Sequence, residues 1–518
     1  MTMLPETAPD GHRSWAEAAK TFLHRRVIAM LFLGFSAGVP ILLIFSTLSL
    51  WLREAEVARA TITYFSWAAL GYGFKFVWAP VIDKLPLPIL TARMGHRRSW
   101  LLISQFAIMA AIVLMGFSDP AVNLAGMAAF AVMLGLSSAT QDIIIDAYRI
   151  ESAGTELQAT MAAAYIAGYR IGMLVAGAGA LELAGILDVV DGYDYAAWSM
   201  TYWAMAAVML IGVATTLTIS EPEIPARDTP YLNSLNDYLR FVLTFVLMVA
   251  ALILVFRELS GWVSSTKTSM VEDFGMIREL AGFLVETLRL FAAVATAVFV
   301  GWILISARLV PRAMIVETYV RPFADFFDRF GRVAFLILAL VATYRIADVV
   351  MGVIANVFYV DIGFEKQEIG RISKGFGLIM TIIGGFIGGL FTMRYGIMRV
   401  LFLGGLLAAA TNVLFVLLAI TGRDIYLLMA VISADNLSAG IASAAFVAYL
   451  SGLVNTAYTA TQFAILTSLM VLLPKIIGGY SGAVVDAVGY VNFFIGTALL
   501  GVPVLILIVL AARLTPTK

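Results

Sequence analysis

Runs of about twenty apolar residues recur along almost the whole chain of 518 residues. That is the length at which a helix, rising 1.5 Å per residue, crosses a hydrocarbon layer about 30 Å thick. Inside a bilayer each backbone amide must find its partner within the protein, so such runs fold as packed helices. Twelve of them form two sets of six: 27–51, 61–82, 99–117, 124–148, 158–186 and 199–219, then 332–358, 368–392, 398–420, 425–450, 460–484 and 490–512. These are numbered here as spans one to twelve. Between the sets, a polar stretch with Pro222, Pro225 and Pro230 leads to two further runs, at 239–256 and about 284–306, and a second polar stretch runs from Arg308 to Arg332. The pattern predicts an all-α polytopic membrane protein of about fourteen spans. Its expected organisation is a segment 1–26, a six-helix half 27–219, a linker 220–331 with the inserted pair, a second half 332–512 and a tail 513–518.

Composition excludes several classes of function. Hydrophobic residues make up 61 % of the chain and charged residues 13 %, which suits a bilayer and not water. Formal net charge is zero, so nucleic acid is not expected as a partner. There is no cysteine, and the three histidines, His12, His24 and His96, lie in polar segments. Thiol chemistry, a metal centre and a cofactor are therefore not expected, and no Ser/His arrangement points to an enzyme. The polar stretch up to Arg26 and the length of the first apolar run do not match a secretory signal.

Loop charge predicts the orientation. With the N-terminus inside, the inner segments collect Arg25, Arg26, Arg93, Arg97, Arg98, Arg308, Arg312, Arg394, Arg399 and Arg513, while the outer loop 187–198 carries Asp188, Asp191 and Asp194 and no base. Both termini are then cytoplasmic. An internal repeat supports two parallel halves: "LQATMAAAYIAGYRIG" opens span five and "TQFAILTSLMVLLPKIIG" opens span eleven. Segment 318–332 mixes Phe323, Phe326, Phe327 and Phe330 with Arg and Asp, and reads either as an interfacial helix or as a plain linker.

A charge buried in a bilayer costs about 2.5–3.5 kcal/mol, so ionisable residues inside spans mark wet or functional surfaces. They are Lys75, Asp142, Asp146, Arg170, Glu182, Arg345, Asp348, Lys374, Asp435 and Lys475; spans three, six, nine and twelve have none in their interiors. Lys75 either faces a cavity or snorkels to the nearer surface. Asp146 is either part of the site or a structural partner of Arg149. Glu182 reads as interfacial. Asp142 and Asp146 lie one turn apart and share a face, as do Arg345 and Asp348. Pro40 in "GFSAGVP" predicts a bend in span one. Trp67, Tyr72, Tyr165, Tyr169, Tyr344, Asn356, Tyr359, Asn412 and Asn436 fit either sugar recognition or helix packing. In "DKLPLPILTARMGHRRSW", Asp83 with Arg97 and Arg98 reads as a gating lock, as a topology signal, or as both.

Several stretches resemble the AmpG-type muropeptide permeases of the major facilitator superfamily. They are "FKFVWAPVID" with "GHRRSWLLISQ", "SSATQDIIIDAYRIE" (137–151), "GYRIGML" (168–174), "PFADFFDRF", "YRIADV", "EIGRISKGFGLIMTIIGGFIGG" and "FVAYLSGLVNTAYTATQFAILTS". The resemblance covers nearly all twelve core spans. It implies the superfamily fold, two six-helix halves with the inserted pair between them, in a bacterial inner membrane. It also implies proton-driven import of anhydro-muropeptides (GlcNAc-1,6-anhydroMurNAc-peptides) for cell-wall recycling and β-lactamase induction. Carried over, Gln141, Asp142, Asp146, Tyr169, Arg170, Arg345, Asp348 and Lys374 are the expected functional positions. Asp435 stands where the family tends to have Glu, and Lys475 where it tends to have Arg.

The expectation is a monomeric alternating-access transporter of a small glycopeptide, with lipid and protons as its other partners. Arg170, Lys374 and Lys475 would meet substrate carboxylates, with Gln141, Tyr169, Arg345, Asn356 and Asp435 beside them; Asp142, Asp146 or Asp348 would carry the proton. The rival readings are a carrier of another anion, such as an acetyl-CoA-like compound, and a membrane signalling protein without transport.

Overall fold

The computed structural model describes residues 15–58, 61–62, 65, 68, 70–190, 192–223, 231–232, 234–276 and 278–514. No strand occurs among them. Thirteen helices are long and apolar enough to cross a membrane. Span two is absent from that set because its described part is broken into Leu70–Phe74, a tight turn Lys75–Val77 and Ala79–Lys84. The remainder of the expected 61–82 span, Trp67 included, falls largely outside the described residues.

The first half holds Arg25–Glu54, span two, His96–Gly116, Leu124–Ser152, Thr155–Leu187 and Tyr195–Thr218. The second holds Val333–Asp361, Gly370–Tyr395, Ile397–Thr421, Ile425–Leu453 and spans eleven and twelve. Spans eleven and twelve meet at Gly489, where φ is +77°, a left-handed conformation that glycine adopts without strain.

Span one is not broken at Pro40. Pro40 lies inside Arg25–Ile44, and the helix is interrupted five residues later at Phe45. A Cβ on Gly34 or Gly38 would lie 2.2 or 2.0 Å from the carbonyl oxygens of Tyr165 and Tyr169. One on Gly168 or Gly172 would lie 1.9 or 2.2 Å from those of Leu31 and Phe35. Span one packs on span five through two Gly-x-x-x-Gly faces, which bring the backbones together. Spans eight and ten repeat the device, with Gly384 against Leu437 and Gly440 against Thr381.

The inserted pair is longer than its apolar core. Leu235–Glu258 bends at Leu259 into a further helix, Ser260–Glu272, and Arg278–Ser306 returns. The middle helix is too polar to register as a span. Arg289 clasps the bend, donating from Nε to the Phe256 carbonyl at 2.6 Å and from Nη2 to Ser260 Oγ at 2.7 Å.

The glutamines that open spans five and eleven both tie down the chain before their helices. Gln158 at the start of span five and Gln462 at the start of span eleven are both buried. Gln158 Nε2 donates to the Ala153 carbonyl at 2.8 Å, and Gln462 Oε1 accepts from the Asn455 amide at 2.8 Å. Each staples the loop that precedes its helix.

Candidate transport site

The two halves touch at one end, called here the closed end, where Trp15 and Leu514 also lie. Span five meets span eight there: Thr160 Oγ1 lies 2.9 Å from Met393 Sδ, and Gly389 faces Ala163 and the Ala159 carbonyl. The N-terminal helix Trp15–Lys20 belongs to the first half but packs on the second. Arg394 lies 4.7 Å from the Trp15 ring centre, and the Phe391 and Tyr395 rings stand edge-on to it.

Beside this contact sits a buried ion cluster. Arg97, wholly enclosed, donates from Nη2 to Asp83 Oδ1 at 2.7 Å and to Glu151 Oε1 at 2.6 Å, and from Nε to Glu151 Oε2 at 2.9 Å. Asp83 then reaches across the halves. It accepts from the amides of Ala460 and Thr461 at 3.1 and 2.7 Å, and from the Thr461 hydroxyl at 2.7 Å. These amides belong to the first turn of span eleven, where free N–H groups and the helix dipole favour an anion. Arg98 is not in this cluster. Its side chain donates to the Thr216 and Leu217 carbonyls at the end of span six. Glu221 accepts from the backbone amides of Arg97 and Arg98.

A second polar group lies deeper in the first half. Asp146 stands between two cations, 3.7 Å from Lys75 Nζ and 3.5 Å from Arg149 Nη2. Arg149 Nη1 continues to Gln158 at 2.9 Å and, across the halves, to Ser451 Oγ at 2.8 Å. Asp142 accepts from Tyr165 Oη at 3.2 Å, and the Tyr165 and Tyr169 rings are 6.0 Å apart. Arg170 is half-buried, its nearest polar contact being Met173 Sδ at 3.7 Å.

In the second half, span seven is interrupted between Val333–Thr343 and Ile346–Asp361. Arg345 sits at the interruption and Asp348 in the first turn beyond it, 3.8 Å apart. A broken helix at this depth is tolerated where it lines a cavity, and its new N-terminus suits the carboxylate. Asp435 accepts from Thr411 at 3.4 Å. Asn412 donates to the Ala347 carbonyl at 3.5 Å.

The remaining expected positions differ in exposure. Gln141 is fully buried inside the first half, accepting from Ser36 Oγ at 3.4 Å, with no partner for Nε2. Asn356 and Lys475 are exposed, and neither makes an ion pair or side-chain hydrogen bond among the described residues. Lys374 lies on the wide-turned stretch Gly370–Phe376, and its side chain is outside the described residues. Glu151, Ser451 and Thr461 were not singled out from the sequence. Glu151 carries the one available signal, a carboxylate in the last turn of span four next to Arg149.

The solved outward-conformation structure of FucP, a major facilitator superfamily transporter, superimposes with a TM-score of 0.58 over 95 % of this chain and 98 % of that one, at 11 % identity. The chain is thus a multi-pass membrane protein with the major facilitator fold. The anhydromuropeptide permease of Escherichia coli strain K12 is 30 % identical over 497 residues, covering 95 % of this chain and 81 % of that protein. A Rickettsia conorii protein bearing the name AmpG 4 is 29 % identical over 94 % of this chain and 97 % of its own. The family model described as acetyl-coenzyme A transporter 1 matches residues 26–121. The chain belongs to the AmpG family of membrane permeases, which are transporters and not enzymes.

Proposed function

We propose that the protein imports anhydro-muropeptides from periplasm to cytoplasm by proton-coupled alternating access. The observation that carries the reading is the pairing of a locked end with a set of charges inside the spans of both halves: buried Lys75 with part-buried Asp142, Asp146 and Arg170 on one side, and part-buried Arg345, Asp348 and Asp435 on the other. A substrate bearing both sugar hydroxyls and peptide carboxylates needs cations with aromatic neighbours, and Arg170 beside Tyr169 and Tyr165 offers them. Carboxylates poised between cations and a cavity are the groups through which a proton can leave or enter. In this reading Asp142, Asp146 and Asp348 carry the proton. Arg170, Arg345, Lys374 and Lys475 attract the substrate, with Tyr169, Asn356 and Asp435 lining its path, and Asp83 with Arg97 is the gate.

The protein sits in the bacterial inner membrane as a monomer, with the division into halves and inserted pair drawn above. The closed end and both termini are cytoplasmic, in keeping with the arginine-rich loops there. The state is then outward-facing. A second reading, transport of an acetyl-CoA-like anion, has the match of residues 26–121 in its favour.

The deciding experiment is uptake of radiolabelled GlcNAc-anhydroMurNAc-tripeptide into proteoliposomes, with and without an inward proton gradient. Gradient-dependent accumulation, lost in Arg170→Ala, is the expected result. No uptake by folded protein, with binding of a CoA ester instead, transfers the assignment to the second reading.

A further inference from the structure

Between the inserted pair and span seven the chain forms a continuous helical segment: Arg312–Ile315, the wide-turned Val316–Val320 and Arg321–Phe330. One side is fastened to the bundle. Pro322 and Phe326 are buried there. Asp325 accepts from Gln462 Nε2 and Asn455 Nδ2, each at 2.8 Å, while Arg329 pairs with Asp325 at 2.9 Å and donates to Gln462 at 3.0 Å.

The other side is apolar and open. Val320, Phe323 and Phe327 are 52, 49 and 38 % exposed. The Phe327 ring packs 5.5 Å from that of Phe335, which is 69 % exposed on the first turn of span seven. The outward face of a span meets acyl chains. The open face of this helix is continuous with that surface, so the helix runs along the bilayer boundary.

The charges complete the pattern. Arg308, Arg312, Arg321 and Arg332 are all exposed. Arg308, Arg312 and Arg332 make no ion pair among the described residues, and Arg321 lies 3.6 Å from Glu317. Asp325 is turned inward, which leaves Asp328 as the other exposed acid of the segment. The surface presented to the headgroup layer is therefore basic. Guanidinium forks match phosphate oxygens.

We propose that 308–332 is a binding site for anionic phospholipid: Phe323 and Phe327 enter the acyl boundary, and Arg308, Arg312, Arg321 and Arg332 hold the headgroup phosphates. The site does not depend on which solute is carried. It does connect to the gate, because Gln462, gripped by Asp325 and Arg329, adjoins Thr461, which holds Asp83.

The test is native mass spectrometry of the detergent-purified full chain, titrated with phosphatidylglycerol or phosphatidylcholine. Wild type is expected to bind phosphatidylglycerol more tightly. Each arginine removed should weaken that binding about fivefold, so R312Q/R321Q should lose most of the preference while phosphatidylcholine binding is unchanged. F323S/F327S should weaken both lipids. R308Q/R332Q, altered only in the flanking loops, gives the same comparison should the first variant fold poorly. An unchanged preference in either folded arginine variant overturns the proposal.

Discussion

Asp83, at the end of span two, accepts hydrogen bonds from both the amide and the hydroxyl of Thr461, each at 2.7 Å, so a carboxylate of the first half caps a helix of the second. Hydrogen bonds to a charged group contribute about 1.5–3 kcal/mol each, enough to shift a two-state equilibrium tenfold or more. Asp83→Asn should therefore open the closed end. The chain has no native cysteine, so spin labels on R93C and R399C, in opposite halves, can be placed without background. The distance distribution should broaden to longer values in Asp83→Asn, and an unaltered distribution would remove Asp83 from the gate.

The seam between spans one and five should be intolerant of a single methyl group. Gly38→Ala and Gly168→Ala place a Cβ about 2 Å from a carbonyl oxygen that cannot move without separating two backbones. A loss of at least about 1–3 kcal/mol is expected, read as a fall in thermal midpoint in detergent. Gly352, in span seven with nothing within 4 Å of its Cβ position, serves as the control, and Gly352→Ala should leave the midpoint in place.

Asp142 and Asp146 share a helix face but not a situation. Asp146 bridges Lys75 and Arg149, whereas Asp142, among the described residues, takes its one side-chain hydrogen bond from Tyr165. Asp146→Asn strands two cations in the bundle and should reduce stability by about 3–5 kcal/mol. Asp142→Asn should keep the wild-type midpoint and lose gradient-driven uptake. Equal midpoints for the two variants would contradict the ion bridge drawn around Asp146.

Gln141 and Arg170 should separate in function as they do in space. Gln141→Leu removes one 3.4 Å contact and an amide nitrogen without a partner, so uptake should stay within about twofold of wild type. Arg170→Ala removes a half-buried cation with no ion pair among the described residues and should raise the KM for a carboxylate-bearing substrate at least tenfold. Both are measured by initial uptake rate.

The spans were legible because length and hydropathy are properties of a sequence segment, and the buried charges because each carries its own cost. What could not be read was rotation. Leu124–Ser152 spreads Ser138, Thr140, Gln141, Asp142 and Asp146 over more than one face, so its pattern does not fix which polar residue meets which neighbour. Gln141 and Asp142 are adjacent and so point about 100° apart, one into the first half and the other toward Tyr165. The break in span two escaped because a tight turn at Lys75–Val77 leaves the hydropathy of the run unchanged, and the helix Ser260–Glu272 because its apolar content is too diluted to register. Glu151 lay in the last turn of a span, where a charge needs no explanation until Arg97 is seen against it. Thr461 and Ser451 are small polar residues with no distinguishing pattern at all.

The glycine seams also limit what can move. Spans one and five share backbone contacts over two glycine pairs, and spans eight and ten do the same, so neither pair can slide or part without losing its packing. Each behaves as a double-stranded rod. The rods meet at the closed end, where Gly389 lies against the Phe22 ring, Ala163 and the Ala159 carbonyl. Opening that end must part the two rods as whole bodies, so the glycines that weld each pair set the size of the piece that moves.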